Sequence, residues 1–135
     1  MYAKKVLLVF GIPAFLLCSL SAFAGNWKSQ GAGDDDALGK AASNYQLYCS
    51  MCHGRDGDGK GEIAPTLSVP PRDHTDASKM SKRTDEQIFK TISEGGEATG
   101  FDSGMPPHNT ILQVEEIRGL VKFVRKLCNC TYSGK

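Results

Sequence analysis

The five-residue segment Cys49-Ser50-Met51-Cys52-His53 constrains this chain more than any other part of its sequence. Two thiols separated by two residues can reach the two vinyl groups of one porphyrin, and the histidine that follows can present its imidazole to the iron. A C-x-x-C pair alone is also found in zinc half-sites and in thioredoxin-like redox proteins. The adjacent histidine favours covalent haem attachment over both alternatives.

The N-terminus has the three parts of a secretory signal peptide, which we place at residues 1–24. Lys4 and Lys5 supply the positive charge, residues 6–20 are apolar, and small residues lead to a cleavage site after Ala24. This pattern predicts export to the periplasm with no membrane insertion once the signal is removed. The alternative is an uncleaved N-terminal helix that anchors the protein in the membrane, and the small residues before the cleavage site favour removal.

The remainder of the chain is long enough for one domain. Residues 25–36 are Gly-rich and polar and predict a flexible spacer, residues 37–127 form the domain, and residues 128–135 form a C-terminal tail. The formal net charge is only +1, and basic residues do not alternate with aromatic ones, which argues against nucleic acid binding.

Apolar periodicity predicts three helices and no strand of convincing length. The first runs from Ala37 into the cysteine motif. The second begins at Thr84, because Thr84 and Gln87 form a capping box, and Gly95 ends it. The last extends from residue 113 or 114 to Leu127, where a stripe at helical spacing predicts a buried face formed by Ile117, Leu120, Val121, Val124 and Leu127.

A six-coordinate haem iron needs two axial ligands, and His53 is the first by position. The sequence offers four candidates for the second, which are Met80, Met105, His74 and His108. Met105 is favoured because Gly104 permits close backbone approach and the two prolines after it stiffen the segment. His108 is the next candidate, and two histidine ligands would lower the reduction potential relative to His and Met.

The chain resembles the class I cytochromes c, in the small bacterial branch that also contains the haem domains of cbb3-type oxidase subunits. The resemblance covers roughly residues 38–127. Besides the haem motif, it rests on Tyr45 four residues before the first cysteine, the Gly-rich loop after His53, the Met105 segment, and a terminal helix that contains Phe123.

This resemblance implies an all-α cytochrome c fold, with three to five helices wrapped round one haem c that is bound through two thioethers. It implies that the carbonyl of Pro65 accepts a hydrogen bond from the proximal histidine. The function expected is that of a carrier, not an enzyme, that passes single electrons between redox partner proteins through a low-spin haem ligated by His53 and Met105. Partners would dock transiently at the haem edge. The alternatives are a subunit of a larger respiratory or oxidoreductase complex, and a haem protein whose labile sixth ligand admits small gases.

Two sets of charged residues suggest weaker assignments. Arg72 is expected to pair with a haem propionate, because a buried carboxylate needs a cation or a donor. Lys79, Lys82 and Arg83 form a small basic cluster, which we interpret as a solvated face, with docking of an acidic redox partner as the alternative.

The chain departs from the family pattern at two places. The family often has glycine where the first and last helices cross, and this chain has Ala41 or Ala42, which predicts a slightly wider crossing. Cys128 and Cys130 follow the last helix. They could be free thiols, an internal disulfide, a bond to a partner chain, or part of a four-cysteine zinc site with Cys49 and Cys52. We favour the internal disulfide or the partner bond without deciding between them.

Overall fold

The computed structural model describes residues 32–101 and 104–134. Within these residues it is built from helices and contains no strand, in agreement with the all-α prediction. The α-helices are α1 (Ala32–Tyr48), α2 (Ser50–His53), α3 (Ala77–Met80), α4 (Asp85–Glu94) and α5 (Val114–Cys128), with 3-10 turns at Ala64–Thr66 and Glu97–Thr99. The predicted signal peptide and the first part of the predicted spacer lie outside the described residues. No described helix has the length and apolar character needed to cross a membrane.

Helix α1 begins earlier than its apolar pattern predicts. It starts at Ala32 and not at Ala37, so residues 32–36, which the sequence pattern assigns to the spacer, are helical. Asp35 and Asp36 lie near the start of the helix, where negative charge interacts favourably with the helix dipole. Polar residues with a favourable charge therefore extend the helix beyond the part that contributes to the core.

The ends of α4 and α5 are fixed by capping. The hydroxyl of Thr84 accepts from the Gln87 amide at 3.1 Å, and the Thr84 amide donates to the Gln87 side chain at 2.9 Å, which confirms the predicted capping box. Gly95, at φ 87°, ends α4. A second capping box, between Gln113 and Glu116, starts α5 and was not foreseen from the sequence.

The core forms where α1 crosses α5. The predicted stripe on α5 is buried at Ile117, Leu120, Val121 and Val124, and Tyr45 on α1 is only 1% exposed. Ala41 is the small residue at the crossing, and a Cβ placed on Gly119 would lie 3.4 Å from the Ala41 Cβ. The glycine of this crossing is therefore Gly119 on α5, and the small residue opposite it on α1 is Ala41.

Two features fix the C-terminal end of α5, and the second of them joins it to the α3–α4 region. Cys128 and Cys130 form an internal disulfide with a Cα–Cα distance of 5.1 Å, so neither sulfur is free for the partner bond or the zinc site considered as alternatives. Arg125 donates to the Met80 carbonyl at 2.8 Å and to the Arg83 carbonyl, and its Nε lies 2.7 Å from an Asp85 carboxylate oxygen. One guanidinium therefore provides hydrogen-bond donors for two backbone carbonyls of the turn that leads into α4.

Candidate haem site

The two motif cysteines lie on a continuous helical path that extends from α1 into α2. The Cys49 amide donates to the Tyr45 carbonyl at 2.9 Å, and the His53 amide donates to the Cys49 carbonyl at 2.9 Å. Residues three apart on such a path share a face, so Cys49 and Cys52 both line the same cavity as His53. Both cysteines are free thiols in this structure. This arrangement presents two sulfurs and one imidazole to a single ligand.

The Gly-rich loop after His53 packs its backbone directly onto the motif. The Gly59 amide donates to the His53 carbonyl at 2.8 Å, and the Gly61 amide donates to the Cys52 carbonyl at 3.0 Å. A Cβ on Gly61 would lie 2.2 Å from the Met51 carbonyl oxygen, which is well inside contact distance. The loop therefore holds the motif in place, and only glycine fits at position 61.

The imidazole of His53 is oriented by a backbone carbonyl, although not by the one expected. His53 is 8% exposed, and its Nδ1 lies 2.9 Å from the carbonyl oxygen of Arg72. The prediction that Pro65 provides this acceptor is wrong. Pro65 lies in the 3-10 turn Ala64–Thr66, and the irregular segment further along the chain brings the Arg72 carbonyl to the ring instead.

The hydrogen bond to Arg72 also decides which His53 nitrogen is left for a metal. Burial lowers the pKa of His53, and the bond to the Arg72 carbonyl opposes that shift. A neutral ring that donates from Nδ1 keeps a lone pair on Nε2, and this is the form of histidine that binds metals.

A second histidine supports the first. The ring of His74 stacks on that of His53, and its Nδ1 lies 2.9 Å from the hydroxyl of Tyr45. Burial is the main cause that lowers the pKa of His74 to about 3, with the neighbouring His53 next, and burial likewise raises the pKa of Tyr45. Both groups are therefore neutral at physiological pH. The sequence showed His74 only as a candidate ligand and gave no signal for this stacking.

The motif faces a cavity of about 510 Å³, which is within the usual range for cofactor sites. Much of its wall is apolar, formed in part by Leu67, Val69, Pro70, Pro71, Ile88, Ile92 and Val124. Arg72 and all four candidates for the second axial ligand line it too, whereas Pro65 does not. The ring of His74 stacks directly on that of His53, so these two side chains cannot bind an iron from opposite faces of one porphyrin. Three candidates remain, which are Met80, Met105 and His108.

The segment that carries Met105 is fixed against the end of α4. The Gly96 amide donates to the Met105 carbonyl at 3.0 Å, and a Cβ on Gly95 would lie 2.9 Å from the same oxygen. Met105 is partly buried, whereas Met80 is 3% exposed and belongs to the hydrophobic core. A thioether on a stiff, pinned loop at the cavity wall fits the role of an axial ligand better than one embedded in the core.

Three cations line the cavity besides its apolar residues. Arg72, the predicted propionate partner, is joined there by Arg83, a member of the predicted basic cluster, and by Lys90, which the sequence did not single out. The Arg83 guanidinium lies 4.7 Å from the centre of the Phe101 ring. Lys79, in contrast, is paired with Asp76 at 3.0 Å. The basic cluster before α4 is therefore divided between the cavity and the surface.

These features together fit a haem. A porphyrin needs apolar walls, an axial imidazole and cations for its propionates, and the cavity provides each of them. The buried Nδ1 of His108 has no hydrogen-bond partner within the described structure, as expected of a group whose partner belongs to a cofactor. Burial, and after it the neighbouring Cys52, raises the pKa of Cys49 to about 12, so this thiol is protonated at physiological pH. Fold and site define a c-type cytochrome.

Comparison with known protein families agrees with this assignment to the c-type cytochromes. The family model described as Cytochrome C oxidase, cbb3-type, subunit III matches residues 36–124, and the chain belongs to this family. The family implies covalently bound haem c. No curated protein matches the sequence.

Several solved structures are similar to the chain, among them a c-type cytochrome and a chain of a protein complex, each with a TM-score above 0.5. The structure titled KustC0563 c-type cytochrome is 31% identical, with a TM-score of 0.53, over 64% of this chain and 95% of that one. A chain of the Kuenenia stuttgartiensis reducing HAO-like protein complex Kustc0457/Kustc0458 is 27% identical, with a TM-score of 0.55, over 65% of this chain and 41% of that one. The chain thus spans less than half the length of this second relative.

Proposed function

We propose that the protein is a periplasmic electron carrier with one haem c, attached through Cys49 and Cys52 and ligated by His53 and Met105. The observation that carries this proposal is the convergence of these four side chains on one cavity with apolar walls. Attachment to both cysteines would make the cofactor a permanent part of the fold. Two protein ligands would leave the iron no open position for a substrate, which favours a carrier over an enzyme.

The haem would supply a single-electron couple, and the chain's own residues would tune it. His53 is held by the Arg72 carbonyl, so the ring keeps one orientation during oxidation and reduction. The pinned Met105 segment presents a neutral thioether, which raises the reduction potential relative to a second imidazole. Apolar walls exclude water and also disfavour the more highly charged oxidised state. The Arg72, Arg83 and Lys90 side chains would hold the propionates.

Partners would dock beside the cysteine pair. Leu47 and Met51 precede and separate the motif cysteines, and they are 71% and 58% exposed. Exposed apolar side chains at such a position suit a small, transient redox interface of below about 1,200 Å². The second candidate function is a subunit of a larger complex. It is favoured by the likeness to one chain of the reducing HAO-like protein complex.

The optical spectrum of the protein expressed with a haem-attachment system in the periplasm tests the proposal. We expect a sharp reduced c-type spectrum, a weak thioether-to-iron band in the oxidised protein, and no reaction of the reduced protein with carbon monoxide. Met105→Leu should abolish the thioether band and lower the reduction potential, and the matched variant Met80→Leu should keep both. A thioether band that persists in Met105→Leu and disappears in Met80→Leu would reverse the assignment. A protein without visible absorbance would overturn the haem proposal itself. Co-purification with a partner at fixed stoichiometry would favour the complex subunit over the free carrier.

A further inference from the structure

His108 occupies an unusual position in the cavity wall. It is 6% exposed, and it lines the same cavity as His53 and Met105. Its Nδ1 is buried and makes no hydrogen bond to any described residue. A buried polar atom without a partner is costly, by about 1–3 kcal/mol, and such atoms are rare in proteins. An apolar side chain would fill this place without that cost, so packing alone does not explain a histidine here.

The backbone holds the His108 side chain against the cavity. The His108 amide donates to the Ile92 carbonyl at 3.1 Å, and its own carbonyl accepts from the amides of Ile111 and Leu112 at 3.1 and 2.9 Å. The residue is therefore fixed on both sides, between the end of α4 and the turn before α5.

We infer that His108 is a reserve axial ligand, whose imidazole binds the haem iron when the thioether of Met105 is lost or displaced. This inference rests on the proposed function, because it requires a haem c held by His53. Neutral imidazole is a common iron ligand and a stronger donor to ferric iron than a thioether. Met105 and His108 are three residues apart on one pinned segment, so the exchange needs a local adjustment and no change of fold.

The physical consequence is that the iron stays six-coordinate in either state. Loss of the thioether would lower the reduction potential without opening the iron to gases. The protein would then have two states with the same cofactor and different potentials. A competing explanation is that His108 only donates a hydrogen bond to a haem propionate or to the Met105 sulfur, and the test below separates this role from iron binding.

The test uses the full haem-loaded protein and three variants, Met105→Ala, His108→Phe and the double variant. We expect Met105→Ala to lose the thioether band and remain low-spin, with a paramagnetic resonance spectrum typical of two imidazoles and little reaction with carbon monoxide. The double variant should be high-spin and should bind carbon monoxide readily. His108→Phe should keep the wild-type band, which controls for folding and for haem attachment.

High-spin, carbon monoxide-reactive iron in Met105→Ala, equal to that in the double variant, would overturn the inference and leave His108 with a hydrogen-bonding role. The wild-type spectrum tests the proposed function separately. Suppose instead that the wild type lacks the thioether band and that only His108→Phe binds carbon monoxide. His108 would then be the resident sixth ligand, which would overturn both the Met105 assignment and the reserve role.

Discussion

The imidazole of His74 lies nearly parallel to that of His53, with 4.3 Å between the ring centroids and 15° between the planes. Its backbone amide donates to the Gly57 carbonyl at 2.6 Å, and its ring reaches the hydroxyl of Tyr45 on α1. A Cβ on Gly57, which has φ +81°, would lie 3.3 Å from that hydroxyl and 2.7 Å from Leu127. His74 thus connects His53 to the α1–α5 core through one stacked ring and one hydrogen bond to Tyr45.

The first prediction concerns the Tyr45–His74 hydrogen bond. Because both groups are removed from water, Tyr45→Phe and His74→Phe should each lower the free energy of unfolding by about 1–3 kcal/mol, since each leaves the other partner unsatisfied. The double variant should lose less than the sum of the two, with a coupling of about 1 kcal/mol. Denaturant unfolding of the haem-loaded protein measures all four corners of the cycle.

A tyrosine in the C-terminal tail provides the control for this cycle. Tyr132 is 49% exposed, and Tyr132→Phe should change stability by less than about 0.5 kcal/mol. Strictly additive losses at Tyr45 and His74 would show that the hydrogen bond contributes nothing. Phe at position 74 keeps a ring against His53, so it separates the hydrogen bond from the stacking.

The second prediction compares two glycines. Gly61→Ala should strongly reduce the yield of haem-loaded protein and destabilise what forms, because the new methyl group would overlap the backbone of Met51 and Cys52. Gly39 lies within α1 with nothing within 4 Å of a Cβ, so Gly39→Ala should raise stability by about 0.5–1 kcal/mol through helix propensity. Haem content from the visible spectrum and thermal unfolding provide the readouts. Equal behaviour of the two variants would contradict the steric argument.

Most helices of this fold can be predicted from local sequence patterns. The Thr84 capping box and the stripe on α5 depend on residues three to seven apart, and both are found where the sequence predicts them. Helix α3 was missed because four residues carry no periodicity, although Asp76 caps it. The early start of α1 was missed because its first turns are polar and contribute nothing to the core pattern.

The candidate site also contains residues that local spacing predicts and residues that only tertiary packing brings together. Cys49, Cys52 and His53 are adjacent in sequence, so their shared face follows from helical geometry alone. The carbonyl that meets His53 belongs to Arg72, 19 residues away, and its position depends on the path of the intervening loop. The stacking of His74 and the burial of His108 likewise depend on tertiary packing, which no local spacing specifies.

The third prediction is a pH dependence at the start of α3. Asp76 accepts hydrogen bonds from the Ser78 hydroxyl at 2.6 Å and from the Lys79 amide at 3.2 Å. The bond to Ser78 first, then the Lys79 ammonium 3.0 Å away and, less strongly, the Lys79 amide lower the pKa of Asp76 from 3.8 to about 2. A depressed carboxyl pKa means that its stabilising contribution is complete above pH 3.8 and is lost as the pH falls through 2.

Asp76→Asn keeps a capping side chain and removes the charge, so it isolates this contribution. The wild type should be the more stable protein at pH 7, and the difference should shrink as the pH falls from 4 towards 2. Paired thermal unfolding curves at several pH values measure the difference directly, and other titrating groups cancel in the comparison. A difference that does not change with pH would mean that the charge of Asp76 is not involved.

The last prediction counts thiols. The chain has five cysteines, and the proposed mature protein has four, because Cys18 lies in the predicted signal. With haem bound to Cys49 and Cys52 and a disulfide between Cys128 and Cys130, denatured and unreduced protein should take up no alkylating reagent. Disulfide reduction should expose two thiols and leave the thioethers intact. Mass spectrometry before and after reduction gives both counts.

Each other outcome of the thiol count identifies a different error. Two labels before reduction, mapped to Cys128 and Cys130, would show that the disulfide does not form. Two labels mapped to Cys49 and Cys52 would show that haem is not attached, and one label at Cys18 would show that the signal is retained. Disulfide formation is expected because the Cα of Cys128 lies 5.1 Å from that of Cys130, within bonding range. The double variant Cys128→Ala and Cys130→Ala should keep the haem spectrum, because neither residue lines the cavity.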